Sequence, residues 1–323
     1  ALALLALAAV LHPRRDGGPN RIRAAVGVAG LVVAAALVAA PYLRNAAVLE
    51  RFHSYQRAQV ERARPVPLDL QRIAGDVGIV PGRELSLDLE LTLVARGDEP
   101  VSRLALSLNP GLTLEGLAVG GEDLAAAFED GLIEAELPAP LVPGGEPLVV
   151  NLKAAGIPDG AFAYLDSSRH VLEMPISSGM IFLFGFEPLF FERGYVALMP
   201  GAHWLPSLGT VLVEEGVARV EDGYQLDLSV EVPEGWNVAG PGRARDAGDG
   251  RRVRFAPGAP VTRTALVASE LEAFEAEAQE VALRLLVGEA HAANLEPLRP
   301  ASNEVVSRIG GAFEEASAIG LRY

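Results

Sequence analysis

The sequence predicts a mainly β protein: a transmembrane helix (or helical hairpin), then an antiparallel β-sandwich or saddle domain, then a strand and helix that open a further domain. Three observations predict it. Residues 24–43, AAVGVAGLVVAAALVAAPYL, are twenty consecutive uncharged positions closed by Arg23 and Arg44. From about Leu68 the apolar period becomes two, with turn signals between the runs. Near Asn294 the period returns to helical spacing, which marks a domain boundary.

The first element is the apolar run. A helix needs about 20 apolar residues to cross the roughly 30 Å hydrocarbon core of a bilayer. A buried core helix of that length normally keeps a polar face, and this one has none. Ahead of it lie ALALLALAAVL and then HPRRDGGPNRIR. Eleven apolar residues are too few to span, and the arginines follow the run where a signal peptide would place them before it. Residues 1–11 therefore read as the tail of an earlier span, with residues 12–23 a tight loop turned by Gly17-Gly18-Pro19. That loop holds Arg14, Arg15, Arg21 and Arg23 against Asp16. The positive-inside rule puts it in the cytoplasm and everything after Leu43 on the other side.

Residues 44–64 carry Val48, Leu49, Phe52, Tyr55 and Val60 at helical spacing among charges, and read as a solvated helical stalk ended by Pro65 and Pro67. Strands follow. ELSLDLELTLV aligns Leu85, Leu87, Leu89, Leu91 and Leu93 on one face, and VSRLALSLN aligns Leu104, Leu106 and Leu108. Residues 112–119, 132–137 and 148–152 continue the pattern between Gly- and Asp-rich turns. Residues 182–204 are rich in aromatics, Gly and Pro, too irregular for one strand and too apolar for a free loop. Regular alternation returns in YQLDLSVEVP, RRVRF and VALRLLV, and residues 300–320 are helical. The expected domains are 1–43, the end of a membrane domain; 44–64, the stalk; 65–275, the β domain; and 276–323, the start of another domain.

Composition narrows the function. The roughly 280 residues after the span suffice for one large or two ordinary domains. A net charge of −15 leaves no basic stripe to neutralise phosphates, which excludes nucleic acid as a partner. There is no cysteine, so neither disulfides nor thiol chemistry enter. The five histidines (His12, His53, His170, His203 and His291) include no His-Glu-x-x-His pair, whose helical spacing would aim two imidazoles at one zinc. No nucleophile elbow, phosphate loop or dinucleotide fingerprint is present either. His203 and the Glu214-Glu215 pair read as ordinary surface or core residues.

Three stretches resemble a known family. GFEPLFFERGYVALMPGAHWLP is similar to the Gln-Phe-Glu-Pro segment, and the aromatic and Pro-rich stretch after it, of the aminopeptidase N family of zinc metallopeptidases. YQLDLSVEVPEGWNVAGPGR resembles that family's strand, Val-Pro-x-Gly turn and hairpin, and the region from Val281 to Tyr323 its link strand and first catalytic-domain helix. With spans ahead, the chain resembles the bacterial form fused to an ABC-transporter-type permease domain. The resemblance implies the amino-terminal β domain of such an enzyme, then the first strand and helix of an α/β catalytic domain cut short. It also implies a bacterial inner-membrane location, with the β domain on the extracytoplasmic side. The implied partners are the lipid bilayer, a peptide with a free N-terminus and an ABC-transporter ATPase subunit.

The family's Glu in Gln-Phe-Glu-Pro holds the substrate's α-amine, and the matching position is Glu187 in Gly185-Phe186-Glu187-Pro188, with Gly185 in place of the Gln. A carboxylate suits that task because a charge-assisted hydrogen bond both binds and selects an N-terminus. No cofactor is expected in this chain; zinc is implied for the full-length protein, with its ligands after Tyr323. The expected activity is removal of N-terminal residues from peptides, with this chain the non-catalytic front portion. Two other readings stay open: a transporter-associated β domain that binds a partner or substrate without peptidase activity, and a purely structural β module.

Overall fold

The structure is a computed structural model that describes residues 21–64, 67–163, 165, 173, 189–214, 217–218, 223–246, 251–278 and 281–287. It opens with α1 (Arg21–Glu61), a single helix of 41 residues. At 1.5 Å per residue it is about 62 Å long, roughly twice the hydrocarbon thickness of a bilayer. Residues 31–43 are apolar on all sides and almost all exposed: Leu37, Val38 and Tyr42 are each more than 70% exposed. Among the described residues it is the one helix long and apolar enough to cross a membrane, by length and composition. Pro41 lies inside it and removes one backbone hydrogen bond, a loss that membrane helices tolerate.

The strands in chain order begin with β1 (Leu68–Val80), β2 (Glu84–Ala95), β3 (Val101–Ser107), β4 (Leu112–Val119), β5 (Glu122–Asp123), β6 (Ala126–Glu129), β7 (Leu132–Leu141) and β8 (Leu148–Gly156). Then come β9 (Leu189–Phe191), β10 (Tyr195–Leu198), β11 (Ser207–Leu208), β12 (Leu212–Glu214), β13 (Val217–Ala218) and β14 (Gln225–Glu231). The last are β15 (Asn237–Ala239), β16 (Ala244–Asp246), β17 (Arg252–Phe255), β18 (Leu266–Ser269), β19 (Glu272–Ala278) and β20 (Val281–Val287). An eight-stranded sheet has the order β16-β17-β14-β1-β2-β8-β4-β5. Two four-stranded sheets have the orders β15-β18-β10-β9 and β11-β3-β7-β6, and β12-β13 and β19-β20 are two-stranded. Every named ladder among the described residues is antiparallel except β1 with β14, which runs parallel from Arg72 opposite Gln225 to Gly78 opposite Glu231.

Alternation builds the core. Leu85, Leu87, Leu89, Leu91 and Leu93 of β2 are buried, each at 3% exposure or less, and face Leu104, Leu106 and Leu108 in one cluster. Strand β1 is as central as β2 and begins at Leu68, where the period of two was expected to start, but its alternation is interrupted. A register shift lies between Leu70 and Arg72, and Gly75 adopts φ +139° where β2 passes. A Cβ on Gly75 would sit 2.1 Å from the Asp88 carbonyl oxygen, so only glycine lets the two backbones approach.

The residues expected to form a solvated stalk are docked. Phe52 is fully buried, with Phe162, Leu165, Val211 and Leu212, in a second cluster flanked by Tyr55 and Val60. Gln56 and Gln59 are buried as well. Positions 52, 56 and 59 fall on one helical stripe, and two of them are polar, which is why the stripe reads as solvent-facing in the sequence. Ser107, on the polar phase of β3, is likewise buried: its hydroxyl donates to the Gly209 carbonyl at 2.6 Å and lies 3.5 Å from the Gln59 amide oxygen of α1.

Candidate functional site

Two groups of polar side chains are built into the described structure. The first is the seam under α1. Its Gln59 amide donates to the Asp130 carbonyl at 3.0 Å and accepts from the Val211 N–H at 2.8 Å. Gln56 donates to the Leu165 carbonyl at 2.8 Å. Buried amides are costly unless satisfied, and here each is spent on backbone groups outside the strand ladders. Tyr55 donates to Asp159 at 3.2 Å, Arg51 pairs with the same carboxylate at 3.4 Å, and His53 lies 2.9 Å from Glu173. At the far end Arg62 pairs with Glu129 at 2.7 Å.

Asn109 fixes the loops beneath this seam. Its Oδ1 accepts from the Gly111 and Asp159 N–H groups at 2.9 and 2.7 Å, and its Nδ2 donates to the Asp159 and Ala202 carbonyls at 3.1 and 2.7 Å. All four hydrogen-bonding positions of that amide are used. Sequence reasoning found a turn at Asn109-Pro110-Gly111 but not its long-range role, since nothing local points to Asp159 or Ala202.

The second group surrounds His203. A short 3₁₀ turn, Pro200–Ala202, ends at His203 in the left-handed conformation, φ 49°, ψ 41°. Its carbonyl accepts the Asn109 N–H at 2.9 Å, and its ring meets Phe162 edge-on at 5.8 Å. Beside it the Trp204 indole donates to the Thr264 carbonyl at 3.1 Å, and the Tyr224 and Thr264 hydroxyls lie 3.1 Å apart. Desolvation, and secondly the Arg263 charge, push the His203 pKa down to about 4, so the ring is neutral at pH 7. The pocket that His203, Trp204, Tyr224 and Arg263 line holds about 40 Å³, room for a water or two and not for an amino acid. Among the described residues no catalytic geometry, such as a nucleophile within reach of a base, is built there. His203 is a structural corner.

Of the other expected positions, Glu187 lies outside the described residues, two positions before β9, the edge strand of its sheet. Glu214 ends β12, and Glu215 lies outside the described residues. Among the described residues no three His, Asp or Glu side chains converge as a metal site. The expected final helix, 300–320, also lies outside the described residues.

No protein-family model and no curated protein matches this sequence. Solved structures do match. A two-domain M1 zinc metallopeptidase bound to L-arginine superposes with a TM-score of 0.50 at 23% identity, over 69% of this chain and 48% of that one. The chain shares its fold with part of an M1 zinc metallopeptidase. The M1 zinc metallopeptidase of Deinococcus radiodurans is similar over 67% of this chain and 45% of its own, at 24% identity and a TM-score of 0.49. Legionella pneumophila aminopeptidase A, in complex with aspartic acid, is similar over 72% of this chain and 26% of its own, at 12% identity and a TM-score of 0.46. The chain thus spans less than half the length of these enzymes. The described fold is consistent with the β domain expected after the apolar helix.

Proposed function

We propose that this chain is the membrane-anchored, non-catalytic front portion of a zinc aminopeptidase. What carries the reading is a conjunction. The three family-like stretches occur in order along the chain, and the β domain that holds the first two has a fold found in an M1 zinc metallopeptidase. Residues 24–43 serve as the anchor, as the last span of a permease-type membrane domain, with the β domain outside the cytoplasm of a bacterium. Zinc belongs to the catalytic domain of the parent protein; the described residues offer it no converging ligands.

Within this reading Glu187 accepts a hydrogen bond from the substrate's free α-amine and so selects an N-terminus. A charge-assisted hydrogen bond of this kind is worth about 1.5–3 kcal/mol. Glu187→Ala in the intact protein should therefore lower kcat/KM for peptides with a free amino terminus by roughly 10- to 100-fold, mostly through KM. Unchanged kinetics would sink the assignment. The residues that follow Tyr323 in the parent protein decide between this reading and a transporter-associated binding domain. A His-Glu-x-x-His followed about 20 residues later by Glu is the zinc-ligand pattern the first requires.

A further inference from the structure

We propose that α1 and the β domain form one rigid body, which holds the β domain at a fixed height and tilt on the bilayer with its Asp159 loop facing the lipid headgroups. The proposal rests on reading residues 24–43 as a membrane span. The helix is continuous from that stretch into the seam, with no linker between them. Nine residues separate Leu43 from Phe52, a rise of about 13 Å. The headgroup layer extends roughly 5–8 Å beyond the hydrocarbon, so the first seam residues stand just above it.

The seam then runs from Arg51 to Arg62, about 16 Å along the axis. It is pinned on successive turns: Arg51 and Tyr55 at Asp159, Gln56 at the Leu165 carbonyl, Gln59 at Asp130 and Val211, and Arg62 at Glu129. Sliding or rotating the helix by one residue would break the glutamine bonds to backbone and lift Phe52 out of its cluster. The order of the pins also orients the domain. Asp159 and Glu173 meet the membrane-side end of the seam, and Glu129 and Asp130 meet the far end. Ile157, 51% exposed and two residues before Asp159, faces the headgroups in this proposed orientation.

The chain has no cysteine, so single and paired labels can be placed freely. Spin labels at Ala46→Cys and Ala127→Cys should give one narrow distance distribution, the same in detergent and in lipid nanodiscs. A five-residue Gly-Ser insertion after Ala47, upstream of the seam, should broaden it. A broad wild-type distribution, or no effect of the insertion, would overturn rigidity whether or not the protein enters a bilayer. For orientation, a fluorophore at Ile157→Cys should be quenched by headgroup-quencher lipids at least threefold more than one at Ala127→Cys. Equal quenching in protein that floats with vesicles would overturn the orientation. Failure to float with vesicles would instead refute the membrane span itself.

Discussion

At the scale of residues, the side chains that organise this molecule are neutral amides. Asn109 holds two N–H groups and two carbonyls from three loops. Asn109→Ala would leave those buried groups unpaired, at about 1–3 kcal/mol each before relaxation, and we expect a net loss of about 3–5 kcal/mol in denaturant unfolding. His203 supplies a pH dependence. Its folded pKa, about 4, lies below the unfolded value near 6.5, so between those values the unfolded chain binds the extra proton. Stability should fall as pH drops from about 6.5 to 4, by an amount on the order of 2–3 kcal/mol, and level off below. His203→Asn, which tolerates the left-handed backbone and does not titrate, should remove this contribution to thermal unfolding measured against pH. None of these roles was legible from local pattern. Gln56 and Gln59 share a stripe with Phe52, but a glutamine in a stripe looks the same whether it meets water or a backbone carbonyl.

At the scale of elements, legibility followed alternation. Residues 112–119 form β4 over the span expected, and the leucines of β2 and β3 face the core as their period requires. Strand β1 starts at Leu68, where the period of two was expected to begin, but its register shift and two glycines blur its extent, yet β1 has two neighbours in the largest sheet. Gly75→Ala should therefore be among the most damaging small changes, costing more than about 3 kcal/mol through backbone strain and a clash with β2. The helix offers a matched pair. Phe52→Ala empties the second cluster and should cost about 3–5 kcal/mol, while Arg51→Ala removes one exposed ion pair and should cost under about 1 kcal/mol. Comparable losses from the two variants in urea melts would contradict a buried seam.

At the scale of the whole molecule, a mainly β fold behind an apolar helix was visible in the change of period, and the family resemblance was carried by short stretches rather than by a site. The single candidate binding residue, Glu187, came from resemblance alone. The purified chain should hydrolyse no amino-acid anilide, with or without added zinc, and a rate above the buffer control would show that it contains a working site. The parallel pairing of β1 with β14 bears on how the chain is made. The partner of Arg72 is Gln225, some 150 residues later, so at 5–20 residues per second one edge of β1 waits on the order of 10–30 s for the ribosome to deliver it. If the amino-terminal helix has entered the bilayer by then, the nascent protein passes that interval as a tethered half-sheet, its open strand an invitation to its neighbours on the same membrane.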